Sequence, residues 1–365
     1  MDRENQLEKQ SNTSRYKLQP DKIRQILVVR ALPGIGDMLC CIPALRSLRH
    51  RFPTARVKLI GLPQMRWFAT RFPSLINDWS DFPGFPGIPE GWQGAAPIPQ
   101  FLTKIQQQQY DLTLQMHGSG DYINPFALLL GAKTTAGFYR PGEFCPDEEH
   151  FLPYPNFGTE TARLLALLSF LGIPTVSDRP DFPISFSERK QQQQLLQQNN
   201  LLPHQYICIH AGASTPQRQW STSGFAKVAA QLAARGYPLI LTGTLAERPL
   251  VEVLEQQIHH LQPKAQTVNL AGKTNIGTAA ALLEQAALTI CNDTGISHLA
   301  IALQAPSIVI FSNSEIARWA ASDRTLHQVI DARIAASEER IADTIIRAAT
   351  DRLPAPPIKE EPAYA

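Results

Sequence analysis

The chain has 365 residues, 44% of them hydrophobic and 18% charged, with a formal net charge of +2. That length and apolar content suffice for about two ordinary hydrophobic cores, while no apolar run reaches membrane-spanning length and the polar first 20 residues predict no secretory leader. The near-neutral balance gives no expectation of a nucleic-acid partner, and the five scattered cysteines, Cys40, Cys41, Cys145, Cys208 and Cys291, lack metal-type spacing and read as reduced thiols of a cytoplasmic protein.

Residues 1–20 are expected to form a disordered N-terminal segment, and residues 21–183 a first α/β domain. Its expected elements are a buried strand at Ile26–Arg30, a helix from Gly36 to His50, a strand at Val57–Gly61 and a short helix around Met65–Arg71. A strand at Leu112–Met116, a helix at Tyr122–Leu130 and a helix at Thr159–Leu171 follow. Strands alternating with helices predict a parallel sheet covered on both faces. Residues 82–99 are too rich in proline and glycine for either element and read as a mobile surface excursion, and residues 140–157 form another irregular stretch. From Lys22 to Arg71, ten Lys or Arg residues accompany a single acid, Asp37. This local excess fits a solvated face for Arg46, Arg49, Arg51 and Arg66, or a surface meeting an anionic acceptor or phospholipid headgroups.

The Gln-rich stretch 184–200 suits an interdomain linker or an exposed first helix. A second alternating unit spans residues 201–330. It comprises strands at Tyr206–His210, Pro238–Thr242, Thr267–Leu270, Leu288–Cys291 and Ser307–Phe311, with helices at Thr222–Arg235, Ala246–His259, Ile276–Ala286 and Ile296–Leu303. A C-terminal helix over residues 331–352 is expected to pack back across the first domain, and residues 353–365 to form a disordered tail.

Two segments carry chemistry. At Asn292-Asp293-Thr294-Gly295 an apolar strand runs into an acid-hydroxyl-glycine turn that opens a helix. The first amides of a helix lack intrahelical partners and carry the positive end of its dipole, so such a turn favours a phosphate, which Gly295 lets approach the backbone. Asp293 and His298 frame the site with polar groups; simple capping is the competing explanation. Near the N-terminus, Gly34-Ile-Gly36-Asp37 turns a strand into a helix in the same way. One such site per half implies a cleft between two doubly wound domains, with ligands at the carboxyl ends of the strands. The glycine pair does not make a dinucleotide fingerprint, because the third glycine position holds Leu39 and the second strand ends at Gly61 without a ribose-binding acid. Neither a serine-hydrolase elbow nor a P-loop occurs.

Together these segments resemble glycosyltransferase family 9, the family of ADP-heptose:lipopolysaccharide heptosyltransferases. The likeness runs through Gly34-Ile-Gly36-Asp37, Pro43-Ala-Leu-Arg46, Tyr110-Asp111-Leu-Thr-Leu-Gln115, Leu130-Gly131-Ala-Lys133, His210-Ala-Gly-Ala-Ser214 with Arg218-Gln-Trp220, and Asn292-Asp293-Thr294-Gly295-Ile-Ser-His298. In order and spacing these cover residues 24–330.

The resemblance implies a GT-B architecture and an inverting, metal-independent transfer of a sugar from a nucleotide diphosphate to a hydroxyl of a lipopolysaccharide-type or other cell-envelope glycan acceptor, with heptose from ADP-heptose as the default. Asp37 then matches the general base, placed by the glycine turn; the alternative is a helix N-cap. Arg218 stands where the family usually carries a lysine, and with Ser214, Thr294, Gly295 and His298 it would face the diphosphate, while Asp293 would accept hydrogen bonds from sugar hydroxyls. Glu247 and Thr242 correspond to the nucleoside side, and His117, Gly118 and Asn124 to the acceptor-side loop. No cofactor is implied, an ADP-linked sugar being the co-substrate. The cytoplasmic enzyme would touch the membrane only peripherally, at its inner face. A nucleotide-sugar epimerase, or a non-catalytic sugar-nucleotide-binding protein on the same two-domain frame, is the alternative.

Overall fold

Ile26–Val29 is fully buried in β1 (Gln25–Val29), as the inner strand of a sheet covered on both faces must be. The computed structural model describes residues 18–334 and 337–355, which divide at Pro180 and Asp181 into two units. In the first unit β1 is followed by α1 (Ile35–Cys40), α2 (Ile42–Arg51), β2 (Arg56–Gly61), α3 (Trp67–Arg71), β3 (Asp78–Asp81) and α4 (Ile98–Gln106). Then come β4 (Leu112–Gln115), α5 (Ile123–Leu129), β5 (Thr134–Tyr139), β6 (Phe151–Pro153) and α6 (Glu160–Phe170). The strands are parallel in the order β3-β2-β1-β4-β5-β6, the doubly wound arrangement, with Val29 paired to both Ile60 and Gln115.

Several expectations are corrected here. The helix expected over 36–50 is two helices, because Pro43 has no N–H to continue the ladder; α2 restarts with Leu45 N–H donating to the Cys41 carbonyl at 2.9 Å. The 82–99 segment is a surface excursion anchored by a few apolar residues, with 91–93 and 95–97 exposed. Phe82 and Ile88 are buried, Phe82 meets the Phe126 ring edge-on at 5.0 Å, and Ile98 begins a helix with Pro99 in its first turn. Of the unforeseen strands, β3 and β6 lie at the sheet edges, β3 half-buried and polar, whereas β5 is a six-residue inner strand in which Gly137 makes room for Gln115, whose Cβ would stand 2.7 Å from a Cβ at 137. Of the N-terminal segment expected to be disordered, Leu18 is buried and Pro20–Lys22 form a short 3-10 turn; residues 1–17 lie outside the described residues.

The second unit comprises α7 (Phe186–Gln198), β7 (Ile207–His210), α8 (Thr222–Ala234), β8 (Leu239–Leu241), α9 (Arg248–Leu261), β9 (Thr267–Asn269) and α10 (Ile276–Glu284). It continues with β10 (Leu288–Asn292), α11 (Gly295–Leu303), β11 (Ser307–Phe311), α12 (Ile316–Trp319), β12 (His327–Asp331) and α13 (Glu338–Thr350). Its parallel sheet has the order β12-β11-β10-β7-β8-β9, so both units are doubly wound.

The Gln-rich stretch is the helix α7 of this unit, not a free linker. A capping box of Ser185 and Glu188 starts it, and the Thr278 hydroxyl donates to Gln191 at 2.7 Å to fix it to α10. The C-terminal helix begins at Glu338, because residues 327–331 add β12 to the sheet edge. Ile341, Ile345 and Ala348 recur at helical spacing and join the second unit's core with Phe225, Ala229 and Leu232 of α8. Leu353 packs against that core, whereas residues 356–365 of the expected tail lie outside the described residues.

Among the described residues no helix is long and apolar enough to cross a membrane. The cysteines are free, four of them buried and Cys145 half-buried. The basic excess before Arg71 is largely occupied locally. Arg49 donates to the Leu75 carbonyl and Asn77, and Arg56 and Arg66 pair with Asp78 and Asp81.

Candidate functional site

In the first unit the strand order reverses between β1 and β4, so the segments leaving these strands turn to opposite faces of the sheet. Arg30, the residue after β1, is 0% exposed and spans the gap. Its Nε donates to the Asp37 carbonyl at 2.8 Å, Nη1 to the Met116 carbonyl at 2.5 Å and Nη2 to Glu160 Oε1 at 3.1 Å. Burial works against its charge, but Glu160 together with Cys41 and Asp37 outweighs it and holds the guanidinium pKa above its ordinary value.

Asp37 is half-buried at the third position of α1, one turn beyond the N-cap, which is Gly34. The carboxylate folds back over that glycine, its Oδ2 standing 2.2 Å from where a Cβ at 34 would be. A side chain at 34 would displace the Asp37 carboxylate from this position, while the Gly34 dihedral angles are extended (φ −84°, ψ 135°) and open to any residue. Gly36 is buried within α1.

On the β4 side, His117 Nδ1 accepts the Ala31 N–H at 3.2 Å, which leaves the ring proton on Nε2. Burial, and then the Arg30 charge, push its pKa down to about 4, so the imidazole is a neutral donor near pH 7. Gly118 has φ +62° and faces open space, and at Gly120 (φ +104°) a Cβ would meet the Phe138 carbonyl at 2.2 Å. Asn124 uses its Nδ2 on that carbonyl at 2.8 Å, while its buried Oδ1 has no partner. The structure thus brings Asp37 and His117 to one knot around Arg30 and places Asn124 as the brace between α5 and β5.

In the second unit the reversal lies between β7 and β10. Asn292, fully buried at the end of β10, ties the diverging loops: its Oδ1 accepts the Trp220 N–H at 3.0 Å and its Nδ2 donates to the carbonyls of Ala211 (2.9 Å) and Gly212 (3.2 Å). Asp293 follows, 2% exposed, its Oδ2 accepting from the Ser314 hydroxyl. Its Oδ1 has no hydrogen-bond partner and lies 3.9 Å from His298 Nε2. Thr294 is the N-cap of α11 and forms a capping box with Ser297, whose Oγ accepts the Thr294 N–H at 3.3 Å and donates to the Thr294 carbonyl at 2.7 Å, while the buried Thr294 Oγ makes no hydrogen bond of good geometry. Gly295 opens α11, and the His298 ring braces the turn by packing edge-on against Trp319 at 5.8 Å.

The loop after β7 carries Ser214, which is exposed, and the short turn Pro216–Arg218. The Arg218 guanidinium is half-buried and makes no ion pair or hydrogen bond among the described residues. Across β7, the buried Thr242 hydroxyl meets His210 Nδ1 at 3.1 Å, and burial lowers the His210 pKa despite Glu247 at 4.0 Å. Glu247 Oε2 accepts the Thr244 N–H at 2.7 Å, and its Oε1 sits over Gly212, 2.0 Å from where a Cβ would be. Asp293, Thr294, Gly295 and His298 form one group, and Thr242 and Glu247 another on the far side of β7. Asn292 anchors Trp220, at the end of the Arg218 loop, beside the first group.

Arg30, Glu160 and Ser314 were not singled out from sequence. Arg30 and Asn292 share a legible signal, a polar residue ending a largely apolar strand; Glu160 and Ser314 have none, since their partners are 130 and 21 residues away.

The family model of glycosyltransferase family 9 (heptosyltransferase) matches residues 99–345, more than half of the chain. The chain is 23% identical over 302 residues to the lipopolysaccharide core heptosyltransferase OpsX of Haemophilus influenzae, covering 78% of each protein. A shorter match, 32% over 96 residues, joins it to lipooligosaccharide heptosyltransferase 2 of the same organism, spanning 26% of this chain and only 28% of that protein. Among solved structures, Escherichia coli ADP-heptose lipopolysaccharide heptosyltransferase II shares the fold with a TM-score of 0.64 at 19% identity, over 90% of this chain and 99% of that one.

Two predictions follow from the first-unit knot. Glu160→Ala leaves Arg30 as an uncompensated buried charge and is expected to destabilise the first unit by about 3–5 kcal/mol in urea denaturation, a loss below about 1 kcal/mol contradicting the assignment. His117 resists protonation to about 4 when folded but takes a proton near 6.5 when unfolded, so stability present above pH 6.5 declines as the pH falls from about 6.5 to about 4. In His117→Asn, which keeps an acceptor for the Ala31 N–H without a titrating ring, the acid-side decline measured by denaturation at stepped pH should be shallower; an unchanged slope refutes the account.

Proposed function

From the premise that the chain belongs to glycosyltransferase family 9, and is therefore a glycosyltransferase, we propose that it moves heptose from ADP-heptose onto a hydroxyl of a lipopolysaccharide-type acceptor. The observation that carries the donor side is the β10–α11 turn. There the buried Asp293 Oδ1 and Thr294 Oγ make no hydrogen bond of good geometry beside the free amides of a helix N-terminus, with the unpaired Arg218 in the neighbouring loop.

Glycosyl transfer breaks the bond between the anomeric carbon and the diphosphate oxygen and forms one to the acceptor oxygen, whose proton must leave. On this reading Asp37 takes that proton. Its backbone is held by Arg30, and the absence of a side chain at Gly34 leaves its carboxylate free to lie over the turn. His117 Nε2–H offers a neutral donor on the same side, suited to an acceptor hydroxyl. In the second unit, the α11 amides and the Arg218 guanidinium offset the charge that develops on the departing diphosphate. Asp293 cannot serve that anion and instead accepts hydrogen bonds from the sugar. Glu247 and Thr242, on the far side of β7, take the nucleoside.

Displacement by the acceptor from the face opposite the leaving group inverts the anomeric centre. No metal ion is required in this scheme. Asp147, Glu149 and His150, which lie close enough together to share an ion, are on the segment after β5 and include none of the donor residues.

The test is transfer from ADP-heptose to a lipopolysaccharide core acceptor. Asp37→Asn is expected to lower kcat by about 10²–10⁴ while ADP-heptose affinity is kept, and Arg218→Ala to weaken ADP-heptose binding by roughly tenfold or more. Undiminished transfer by Asp37→Asn removes the base assignment, and isomerisation of the donor without any acceptor would mark an epimerase instead.

A further inference from the structure

We infer that Ser312 binds a hydroxyl of the donor's glycosyl group, in a cradle shared with Asp293 and Thr294 beside the His298 ring, and that Ser314 is the positioning residue that turns the Asp293 carboxylate toward it. The inference deepens the donor reading above and rests on it. Neither serine belongs to the Asn292–His298 motif; both lie on the loop after β11.

Placement comes from the sheet. Asn292 is paired with Ile310, and the ladder runs one step further with Asp293 N–H donating to the Ile310 carbonyl at 3.0 Å. Ser312, two residues past Ile310, therefore stands level with Thr294 where the two strands end. Among the described residues, eight buried side-chain polar atoms make no hydrogen bond of good geometry, and three of them are Asp293 Oδ1, Thr294 Oγ and Ser312 Oγ. Buried polar atoms are nearly always satisfied, so oxygens short of hydrogen bonds on both segments leaving one strand pair point to a partner supplied from outside the chain.

The surrounding loop is held rather than slack. Ser314 donates to Asp293 Oδ2, which commits that oxygen and leaves Oδ1 as the open acceptor. Arg333, beyond β12, donates to the Ser314 carbonyl at 3.2 Å and is itself paired with Asp331 at 2.7 Å. Three successive strand ends thus fix one serine.

The donor set selects the ligand class. A carboxylate oxygen repels phosphate and accepts from O–H, while serine and threonine hydroxyls both donate and accept, so the cradle matches the vicinal hydroxyls of a sugar rather than the diphosphate beside it. An oxygen trio is also what a hard divalent cation would take, which makes the cation an outcome of the test.

The experiment is calorimetric titration of the full-length protein and its Ser312→Ala, Ser314→Ala and Ser314→Thr variants with ADP and with ADP-heptose. Loss of one or two hydrogen bonds to the sugar is expected to weaken ADP-heptose binding about tenfold in Ser312→Ala and Ser314→Ala, with ADP affinity unchanged and Ser314→Thr restoring the wild-type value. Equal losses for ADP and ADP-heptose, unchanged binding of both, or a loss that disappears in EDTA each overturn the inference, the last in favour of a divalent cation. Failure of the donor reading is separately visible, because the wild-type protein would then bind neither ligand.

Discussion

The reversal of strand order is the constraint on which both units depend. Where neighbouring parallel strands send their chains to opposite faces, the ladder stops and the departing backbone leaves carbonyls and amides that no strand can satisfy. Each unit answers with one fully buried polar side chain. Arg30 gathers the carbonyls of Asp37 and Met116 and discharges its own charge on Glu160, whereas Asn292 gathers Ala211, Gly212 and the Trp220 amide. Without these knots the crevices would be sites of unmet hydrogen bonding; with them the backbone around each crevice is fixed.

The two knots leave different residues of chemical capacity. In the first unit a cation sits beneath the loop, balanced by Glu160, and its neighbours become a carboxylate and an imidazole kept neutral by burial and by that same cation. In the second unit the knot is uncharged, so beside it the electrostatics are set by the start of α11 and the unpaired Arg218, with orphaned oxygens from Asp293 and Thr294. A group that can accept a proton and a helix start that can hold an anion are the two capacities the proposed glycosyl transfer calls on.

Small residues matter here for the space they leave. Gly34 admits the Asp37 carboxylate, Gly212 admits that of Glu247, and Gly277 admits that of Glu188, each of which would collide with a Cβ. In all three cases no positive φ is involved, and a side chain there would push the acid from its present position.

The apolar runs at 26–29 and 288–291 and the helical spacing that follows each were enough to establish doubly wound α/β units, because an inner parallel strand has no polar face and so no ambiguity of pattern. The same reading found the acid-hydroxyl-glycine turn, since a helix start advertises its free amides locally. Edge strands such as β3, β6 and β12 escaped it: an edge is half-solvated, tolerates polar residues and looks like loop until its partner is known. The break at Pro43 is legible in one dimension, since proline lacks the N–H that continues the ladder, but the apolar spacing runs across it; α13 is foreseeable as a helix, although its apolar stripe does not name the core it joins. The long-range partners, Glu160 on Arg30 and Ser314 on Asp293, were decided by tertiary structure alone. Periodicity and helix capping are properties of a few adjacent residues and can be read in one dimension; which distant side chain satisfies a buried charge or steers a carboxylate depends on where the sheet brings its strand ends, and that exists only in the folded chain.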